Sequence, residues 1–223
     1  MVKIGYFHKK KLKKLWSFGR TKPGKTHVNQ QVNTFDLFND DTQSITVNND
    51  NNTLIQPTSR NVTKLNLLSP SDADYQTINT KFMSHIPAAT VRAIFYLEMP
   101  EYIVERHELM KKTIPVPRQT FHGTKHYCDP NRYITSKGEA KPCDNVNCGL
   151  CGIIKAGNRI DMSSSGIWSA LHATTSLAYT LPTPMRVMFV LDILSDLPDN
   201  TLTPYVTQDA AAIPRFLILF QYA

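Results

Sequence analysis

The chain has 223 residues, of which 41% are hydrophobic, and its formal net charge is +7 at pH 7. This length and apolar content suffice for one domain with a core of ordinary size, plus a tail. No stretch approaches the roughly 20 apolar residues with which a helix crosses a bilayer, so we expect no membrane span. No apolar segment of signal-peptide length follows the first charges, so we expect an intracellular protein, nuclear or cytoplasmic, with reduced cysteines.

The positive charge is concentrated at the start of the chain. Residues 1–35 carry nine Lys or Arg and no acidic residue, whereas residues 66–223 carry fourteen of each sign. Residues 36–66 are rich in Asn, Asp and Thr. Because few apolar side chains could offset the entropy of ordering, residues 1–66 are predicted to be a disordered tail. Its basic head could direct the chain to the nucleus or contact nucleic acid or acidic lipid weakly, and a merely solvated tail explains it equally well.

The folded domain, residues 67–223, is predicted to open with a helix near Ser69. Ser69 suits the N-cap, Pro70 the first helical position, and Asp72 the acidic half of a capping box. Apolar side chains then recur at spacings of three and four, which defines one inward face. They are Tyr75, Ile78 and Phe82.

The remainder of the domain alternates strand signals with loops. The β-branched and aromatic runs VRAIFYL (91–97), RVMFVLDI (186–193) and RFLILFQY (215–222) predict strands, the last two covered on both faces. A second helix is predicted from Pro100 to about Lys112, and a short one within HATTSLAYTL, ended by Pro182. Residues 114–159 are rich in Pro, Gly, Asn and Lys, so we predict mainly loop there, around a short strand ending at Phe121.

All four cysteines lie in one loop, 128–151: Cys128, Cys143, Cys148 and Cys151. Thiolates at this spacing could meet a tetrahedral Zn²⁺, and the two-residue gap before Cys151 is usual for a zinc knuckle. Four sulfur ligands leave no open position, so the zinc would be structural. The alternatives are His126 as a substitute ligand, or four thiols packed as small hydrophobic groups. A zinc-dependent nucleic-acid binder is a further possibility, although this loop has three basic and three acidic residues.

Three motifs occur in the order and spacing of a known family. They are a His-Gly pair at 122–123, a Gly-Ile-Trp segment at 166–168 followed by Ser176 and Tyr179, and the closing strand AIPRFLILFQ at 212–221. Together they resemble the catalytic domain of poly(ADP-ribose) polymerase-type ADP-ribosyltransferases, over roughly residues 68 to 223. In that family, a Ser and a Tyr follow the Gly of a Gly-Ile-Tyr segment at these same offsets.

The resemblance implies an α+β fold of two packed, mainly antiparallel sheets around an NAD⁺ cleft, with short flanking helices. His122 would hydrogen-bond the 2′-hydroxyl of the nicotinamide ribose, and the backbone of Gly123 would hold the carboxamide. Ser176 would bind the same amide, and Tyr179 would stack on the cationic nicotinamide ring. The implied reaction transfers ADP-ribose from NAD⁺ to an acceptor and releases nicotinamide.

The chain departs from the family's His-Tyr-Glu triad at two positions. The Tyr is Trp168, which keeps a flat surface and an N–H donor but lacks the phenolic oxygen. Counting back from the closing strand puts Thr203 at the position of the Glu, and a one-residue shift puts Pro204 there. The candidate catalytic positions are thus His122, Trp168 and Thr203. Without the carboxylate we expect mono-ADP-ribosylation of a protein or nucleic-acid acceptor, or alternatively an inactive module that retains the fold.

Overall fold

A computed structural model describes residues 62–114, 117–159, 166–195, 202–206 and 208–222. The predicted disordered tail lies outside these residues, except for its last few positions. The described chain is a mixed α/β structure built on one antiparallel five-stranded sheet, with a separate two-stranded sheet and few helices. The general α+β class expected from the sequence is therefore confirmed.

The strands are β1 (Lys64–Leu67), β2 (Ala89–Glu98), β3 (Pro117–Gly123), β4 (Ile167–Trp168), β5 (Met185–Leu194), β6 (Tyr205–Val206) and β7 (Ala212–Tyr222). The helices are α1 (Ala73–His85), α2 (Glu101–Lys111), α3 (Asn131–Thr135), α4 (Gly149–Ala156) and α5 (Ala173–Leu177), and a 3₁₀ turn occupies Asp209–Ala211. The large sheet has the spatial order β1-β2-β7-β5-β3, and β4 pairs with β6.

The core lies on both faces of the central strands β5 and β7. Successive side chains of β5 belong alternately to two clusters of buried residues, with Phe189 in one and Met188 and Val190 in the other. Since side chains alternate across a strand, the two clusters occupy opposite faces of the sheet. The α1 side chains Ile78 and Phe82 cover one of these faces. Burial on both sides explains why β5 and β7 are almost continuously apolar, as predicted.

The first described strand begins slightly before the domain boundary that the composition predicted. Strand β1 starts at Lys64 and pairs with β2, with Leu65 opposite Leu97. Only Leu65 of its four residues is buried, so a boundary drawn from apolar content misses the strand. The first helix starts later than predicted, at Ala73, because Ser69 and the residues after it form a turn. Within that turn the Ser69 N–H donates to Asp72 Oδ2 over 2.7 Å, which is one half of the predicted capping box.

Most of the described residues between 114 and 159 form loop, as predicted, but the segment also contains two short helices, α3 and α4, that were not predicted. Helix α4 has the sequence GLCGIIKA, and its two glycines lower its intrinsic helix propensity. Burial of Leu150, Cys151, Ile153 and Ile154 outweighs that penalty. Strand β3 continues to Gly123, two residues beyond the predicted end at Phe121.

Candidate functional site

A cavity of about 700 Å³ opens beside the end of β3, a volume within the range usual for small-molecule sites. Its walls come from β3, α4, the chain around β4, and α5. The six positions to which the sequence assigned a role in binding NAD⁺ or in catalysis all line it. They are His122, Gly123, Trp168, Ser176, Tyr179 and Thr203.

The imidazole of His122 is held by the backbone of the two-stranded sheet. Its Nδ1 lies 2.7 Å from the carbonyl oxygen of Trp168. A carbonyl can only accept, so Nδ1 carries the proton, and in the neutral ring Nε2 is left as an acceptor. Burial lowers the pKa of His122 below its usual value, although the hydrogen bond to Trp168 acts in the opposite direction. The ring is therefore neutral at pH 7, and within the described part of the chain its Nε2 lone pair is available to accept from a ligand hydroxyl.

Backbone pairing links β3 to the other walls of the cavity. Phe121 and Ala170 exchange two hydrogen bonds of 2.7 and 2.9 Å. The N–H groups of Ser169 and Leu171 donate in turn to the carbonyls of Pro204 and residue 202, over 3.1 and 2.9 Å. The segment that carries Trp168 is thereby fixed between His122 on one side and Thr203 on the other.

Helix α5 approaches the end of β3 with no space to spare. The Ser176 side chain is 3% exposed, and its hydroxyl donates to the carbonyl oxygen of Phe121 over 2.8 Å. A Cβ at Gly123 would overlap the Ser176 carbonyl oxygen, so only glycine fits there. Because the Ser176 proton is already donated, Oγ can offer a ligand only its lone pairs. It can therefore accept a hydrogen bond from the N–H of a carboxamide, which is the role that the resemblance implies for Ser176.

Two aromatic side chains at the cavity are largely open to solvent. Tyr179 is 64% exposed and Trp168 is 50% exposed. Large aromatic side chains usually bury their rings, and a pair of exposed rings lining one cavity is typical of a binding surface. Tyr179 is attached to α5 by an N–H bond to the Ser176 carbonyl of 3.1 Å.

Thr203, the residue that the sequence resemblance aligned with a glutamate, is part of the cavity wall and bears no charge. Thr203 lines the cavity and is exposed. No carboxylate occurs among the described residues that line the cavity, and Arg159 is the one side chain there with a full charge. The acidic residues nearest to Thr203 in the sequence are Asp199 and Asp209. Asp209 lies in the 3₁₀ turn and not in the cavity wall, and Asp199 lies outside the described residues.

The four cysteines form a compact cluster in which every pair of Sγ atoms lies within 4.8 Å. Cys128 Sγ is 3.5 Å from Cys151 Sγ and 3.8 Å from Cys148 Sγ. Four thiolates on a tetrahedral Zn²⁺, at about 2.3 Å from the metal, lie roughly 3.8 Å apart. The cluster could therefore hold a metal such as zinc. His126 does not belong to this group of converging ligand atoms, and its Nε2 lies 3.4 Å from the hydroxyl of Thr183.

Donors around the cluster suit a site with excess negative charge. Arg132 Nη2 and the Tyr133 hydroxyl lie 3.2 and 3.4 Å from Cys151 Sγ, and the Tyr127 N–H donates to Cys148 Sγ over 3.4 Å. Such outer contacts orient metal ligands and offset the charge of four thiolates.

Without a bound cation, the four thiols do not all lose their protons together. Burial and neighbouring sulfurs raise the pKa of Cys128, and burial raises that of Cys151. Burial would also raise the pKa of Cys143, but hydrogen bonds from the Asn145 backbone and from neighbouring thiols lower it to about 7. Without a cation, the first thiolate makes each further ionisation harder. A bound metal would keep all four deprotonated.

Helix α4 belongs to both sites. It follows Cys148 directly and contains Cys151, while Gly149 and Ile153 line the cavity. A Cβ at Gly149 would overlap the Thr124 hydroxyl, so α4 abuts the chain just after the His-Gly pair. Whatever fixes the cysteine cluster therefore also fixes one wall of the cavity.

The contribution of α4 to this wall could not be predicted from the motifs. Asn158 and Arg159, directly after the helix, line the cavity and belong to none of the motifs identified in the sequence. The signal for them lies in the short apolar run of α4 that ends at a glycine.

In the described part of the chain, no helix combines the length and the apolar character that a membrane span requires. Neither a family model nor a curated protein matches the chain.

Proposed function

We propose that the protein is an NAD⁺-dependent ADP-ribosyltransferase that attaches single ADP-ribose units to an acceptor, and that its fold is the ADP-ribosyltransferase fold. One observation carries the proposal. Six positions, taken from four separate segments by sequence reasoning alone, line a single cavity of about 700 Å³. Each motif is common by itself, and coincidence does not account well for their convergence.

The proposed binding mode uses the groups that the cavity leaves available. The Nε2 lone pair of His122 accepts from the ribose 2′-hydroxyl, and Ser176 Oγ accepts an N–H of the nicotinamide carboxamide. The exposed ring of Tyr179 stacks on the pyridinium, where a π face attracts a cation. Trp168 adds a second flat surface at the same cavity.

In the reaction, the bond between ribose C1′ and the nicotinamide nitrogen breaks, and its electron pair leaves with nicotinamide, which becomes neutral. Positive charge develops on C1′, and an acceptor oxygen then forms the new bond. A neutral His122 suits this step, since an imidazolium beside C1′ would oppose the developing charge. Fixing the ribose and the leaving group in one geometry supplies much of the rate enhancement.

The absence of a cavity carboxylate limits which acceptors are suitable. No described residue of the cavity wall can remove a proton as a carboxylate base, and Thr203 stands at the position expected for one. An acceptor that is already an anion, such as an Asp or Glu side chain or a terminal phosphate, needs no base. Single transfers to such acceptors fit this site better than chain elongation, which requires a sugar hydroxyl to be activated.

The same absence favours a second candidate, an inactive NAD⁺-binding module. In that case the cavity binds the dinucleotide through the same residues, but the positive charge at C1′ is not stabilised and no transfer occurs. The two candidates share every binding prediction and differ only in turnover.

The proposed cofactor is a structural Zn²⁺ held by Cys128, Cys143, Cys148 and Cys151. With four protein ligands it would keep no position for water or substrate. Its contribution would be to pin α4, and thereby one wall of the cavity.

The test is to incubate the full chain with adenylate-labelled NAD⁺, with and without cell-lysate proteins, and to measure nicotinamide release and label transfer. The transferase predicts both, and predicts that His122→Ala abolishes both. The matched control is His172→Ala, since His172 is exposed and is not part of the cavity wall. Thermal stabilisation by NAD⁺ without transfer would favour the binding module. Neither response in the folded wild-type protein would contradict both candidates.

A further inference from the structure

We propose that Asn158 is a ligand-binding residue of the cavity, and that its carboxamide nitrogen donates a hydrogen bond to a ribose or phosphate oxygen in the half of the dinucleotide remote from nicotinamide. The inference rests on the proposed function, because it assigns a second subsite to the same ligand. It is carried by an unpartnered donor, by the position of that donor at the end of α4, and by the charges around it.

The Asn158 side chain has a buried donor with nothing to bind. The residue is 6% exposed, and its Nδ2 has no hydrogen-bond partner within the part of the chain that the structure describes. Buried polar side chains in folded proteins are paired in the large majority of cases, because an unpaired donor forfeits its bond to water. The residue also lines the cavity, so a ligand in the cavity is the partner that the position offers.

Asn158 lies at the end of α4 away from the His-Gly pair. Gly149, Ile153 and Asn158 all contribute to the cavity wall, so one face of the helix runs along it. The eight residues of α4 rise about 12 Å in total. Gly149 abuts Thr124, next to the proposed nicotinamide subsite. A ligand that follows this wall from Thr124 to Asn158 extends well beyond its nicotinamide riboside.

A tight turn fixes the position of Asn158 relative to the helix. Gly157 has a φ of 70°, in the left-handed region that favours glycine, and its N–H donates to the Ile153 carbonyl over 2.8 Å. A Cβ at Gly157 would lie 3.3 Å from Ile103 Cδ1, so the turn is also closely packed against α2. Asn158 is thus held by the fold, with or without a ligand.

The surroundings favour an oxygen-rich, anionic partner. Arg159 is adjacent in sequence and lines the same cavity, and no carboxylate does so among the described residues. A carboxamide N–H donates to phosphate, hydroxyl or ring oxygens without adding charge. The ribose and phosphates of the remote half of NAD⁺ supply such oxygens. Nicotinamide by itself would not reach Asn158 and Arg159.

The test is titration calorimetry of the full chain with NAD⁺, ADP-ribose and nicotinamide, for the wild type, Asn158→Leu and Asn158→Asp. Loss of one neutral hydrogen bond should weaken NAD⁺ and ADP-ribose about three- to tenfold in Asn158→Leu, with nicotinamide affinity unchanged. Asn158→Asp, which has nearly the same shape, should weaken both dinucleotide-derived ligands further, because its charge repels phosphate. The ligand-free melting temperature of Asn158→Leu should not fall, since the variant removes an unpaired donor.

The matched control is Asn66→Leu, an exposed position on β1. It should bind all three ligands as the wild type does. If the wild type binds NAD⁺ and both Asn158 variants bind it equally well, Asn158 has no ligand role and the inference is overturned while the proposed function stands. If the folded wild type binds neither NAD⁺ nor ADP-ribose, the proposed function fails and this inference fails with it.

Discussion

The backbone carbonyl of Ser176 occupies the space that a side chain on Gly123 would need. This contact joins the last residue of β3 to α5, and the Ser176 hydroxyl reinforces it by binding the Phe121 carbonyl over 2.8 Å. The two segments that would hold the nicotinamide carboxamide are therefore one rigid unit. Their separation is set by the absence of a single methyl group.

Gly123→Ala should consequently force α5 away from β3. We expect a loss of about 1–3 kcal/mol in the free energy of unfolding, the usual effect of overpacking, together with lost NAD⁺ binding. Denaturant unfolding and calorimetry measure the two effects. Gly152→Ala is the matched control, because a Cβ there meets nothing within 4 Å and the position is helical. The control should gain about 0.5–1 kcal/mol and bind normally. Equal stability of the two variants would contradict the close approach of α5.

The affinity for NAD⁺ should fall at acid pH, because His122 becomes protonated there. Burial holds its folded pKa below the ordinary 6.5. Affinity should therefore be constant above pH 6.5 and fall at lower pH, where the protonated ring loses its Nε2 acceptor and places a charge beside the cationic nicotinamide. Affinity that rises toward acid pH would contradict a neutral, accepting His122.

The same pKa shift has a consequence for stability. Between the unfolded pKa of 6.5 and the lower folded value, the unfolded chain binds more protons at this position, so the unfolding free energy falls as the pH falls through that window. His122→Asn should reduce this slope. Burial lowers the pKa of His107 in the same direction, so the comparison requires the difference between variant and wild type, measured from pH 7 to 5.

Metal removal should affect both the fold and the cavity. We expect one zinc per chain by elemental analysis, and a large drop in melting temperature after chelation or in Cys148→Ser, because structural zinc sites contribute directly to folding. NAD⁺ affinity should fall in parallel, since α4 carries both Cys151 and the cavity residue Ile153. Arg132→Gln should weaken zinc by roughly 10–100-fold without removing a ligand. A metal-free protein with an unchanged melting temperature would contradict the metal site.

Tyr179 should matter for its ring and not for its hydroxyl. Tyr179→Phe should retain NAD⁺ affinity, while Tyr179→Ala should lose it by a factor of several, as expected for a lost cation–π contact of about 0.5–2 kcal/mol. The side chain is 64% exposed, so neither variant should alter the unfolding free energy by more than about 0.5 kcal/mol. Calorimetry with NAD⁺ and with nicotinamide measures the effect. Equal affinities of the Phe and Ala variants would argue against stacking.

The long strands could be predicted because their signal is local. β5 and β7 are apolar on both faces, and this pattern can be recognised without knowing which elements pack against the strands. β1 and α4 could not be predicted in the same way. β1 buries one side chain of four and depends on pairing with β2, and α4 contains two glycines and depends on burial and on the cysteine cluster. Tertiary contacts outweigh local propensity in both.

The residues of the candidate site likewise include some that could be predicted from the sequence and some that could not. His122, Gly123, Ser176 and Tyr179 could be selected because motif spacing carries them, and they do line one cavity. Asn158 could not be selected, because its proposed role rests on an unpaired nitrogen that only the folded chain reveals. The sequence also contains no sign that the Ser176 proton would be donated to Phe121, a detail that restricts the serine to accepting from its ligand.

In the proposed function, His122 and Tyr179 hold the two halves of a nicotinamide riboside. The decisive experiment for this arrangement is a crystal structure with an NAD⁺ analogue whose nicotinamide is joined to ribose by a non-hydrolysable carbon–carbon bond. We expect the nicotinamide ring to lie against Tyr179, its carboxamide at Gly123 and Ser176, and the ribose 2′-hydroxyl within hydrogen-bond distance of His122 Nε2. A dinucleotide bound elsewhere, or a cavity left empty at saturating analogue, would contradict it.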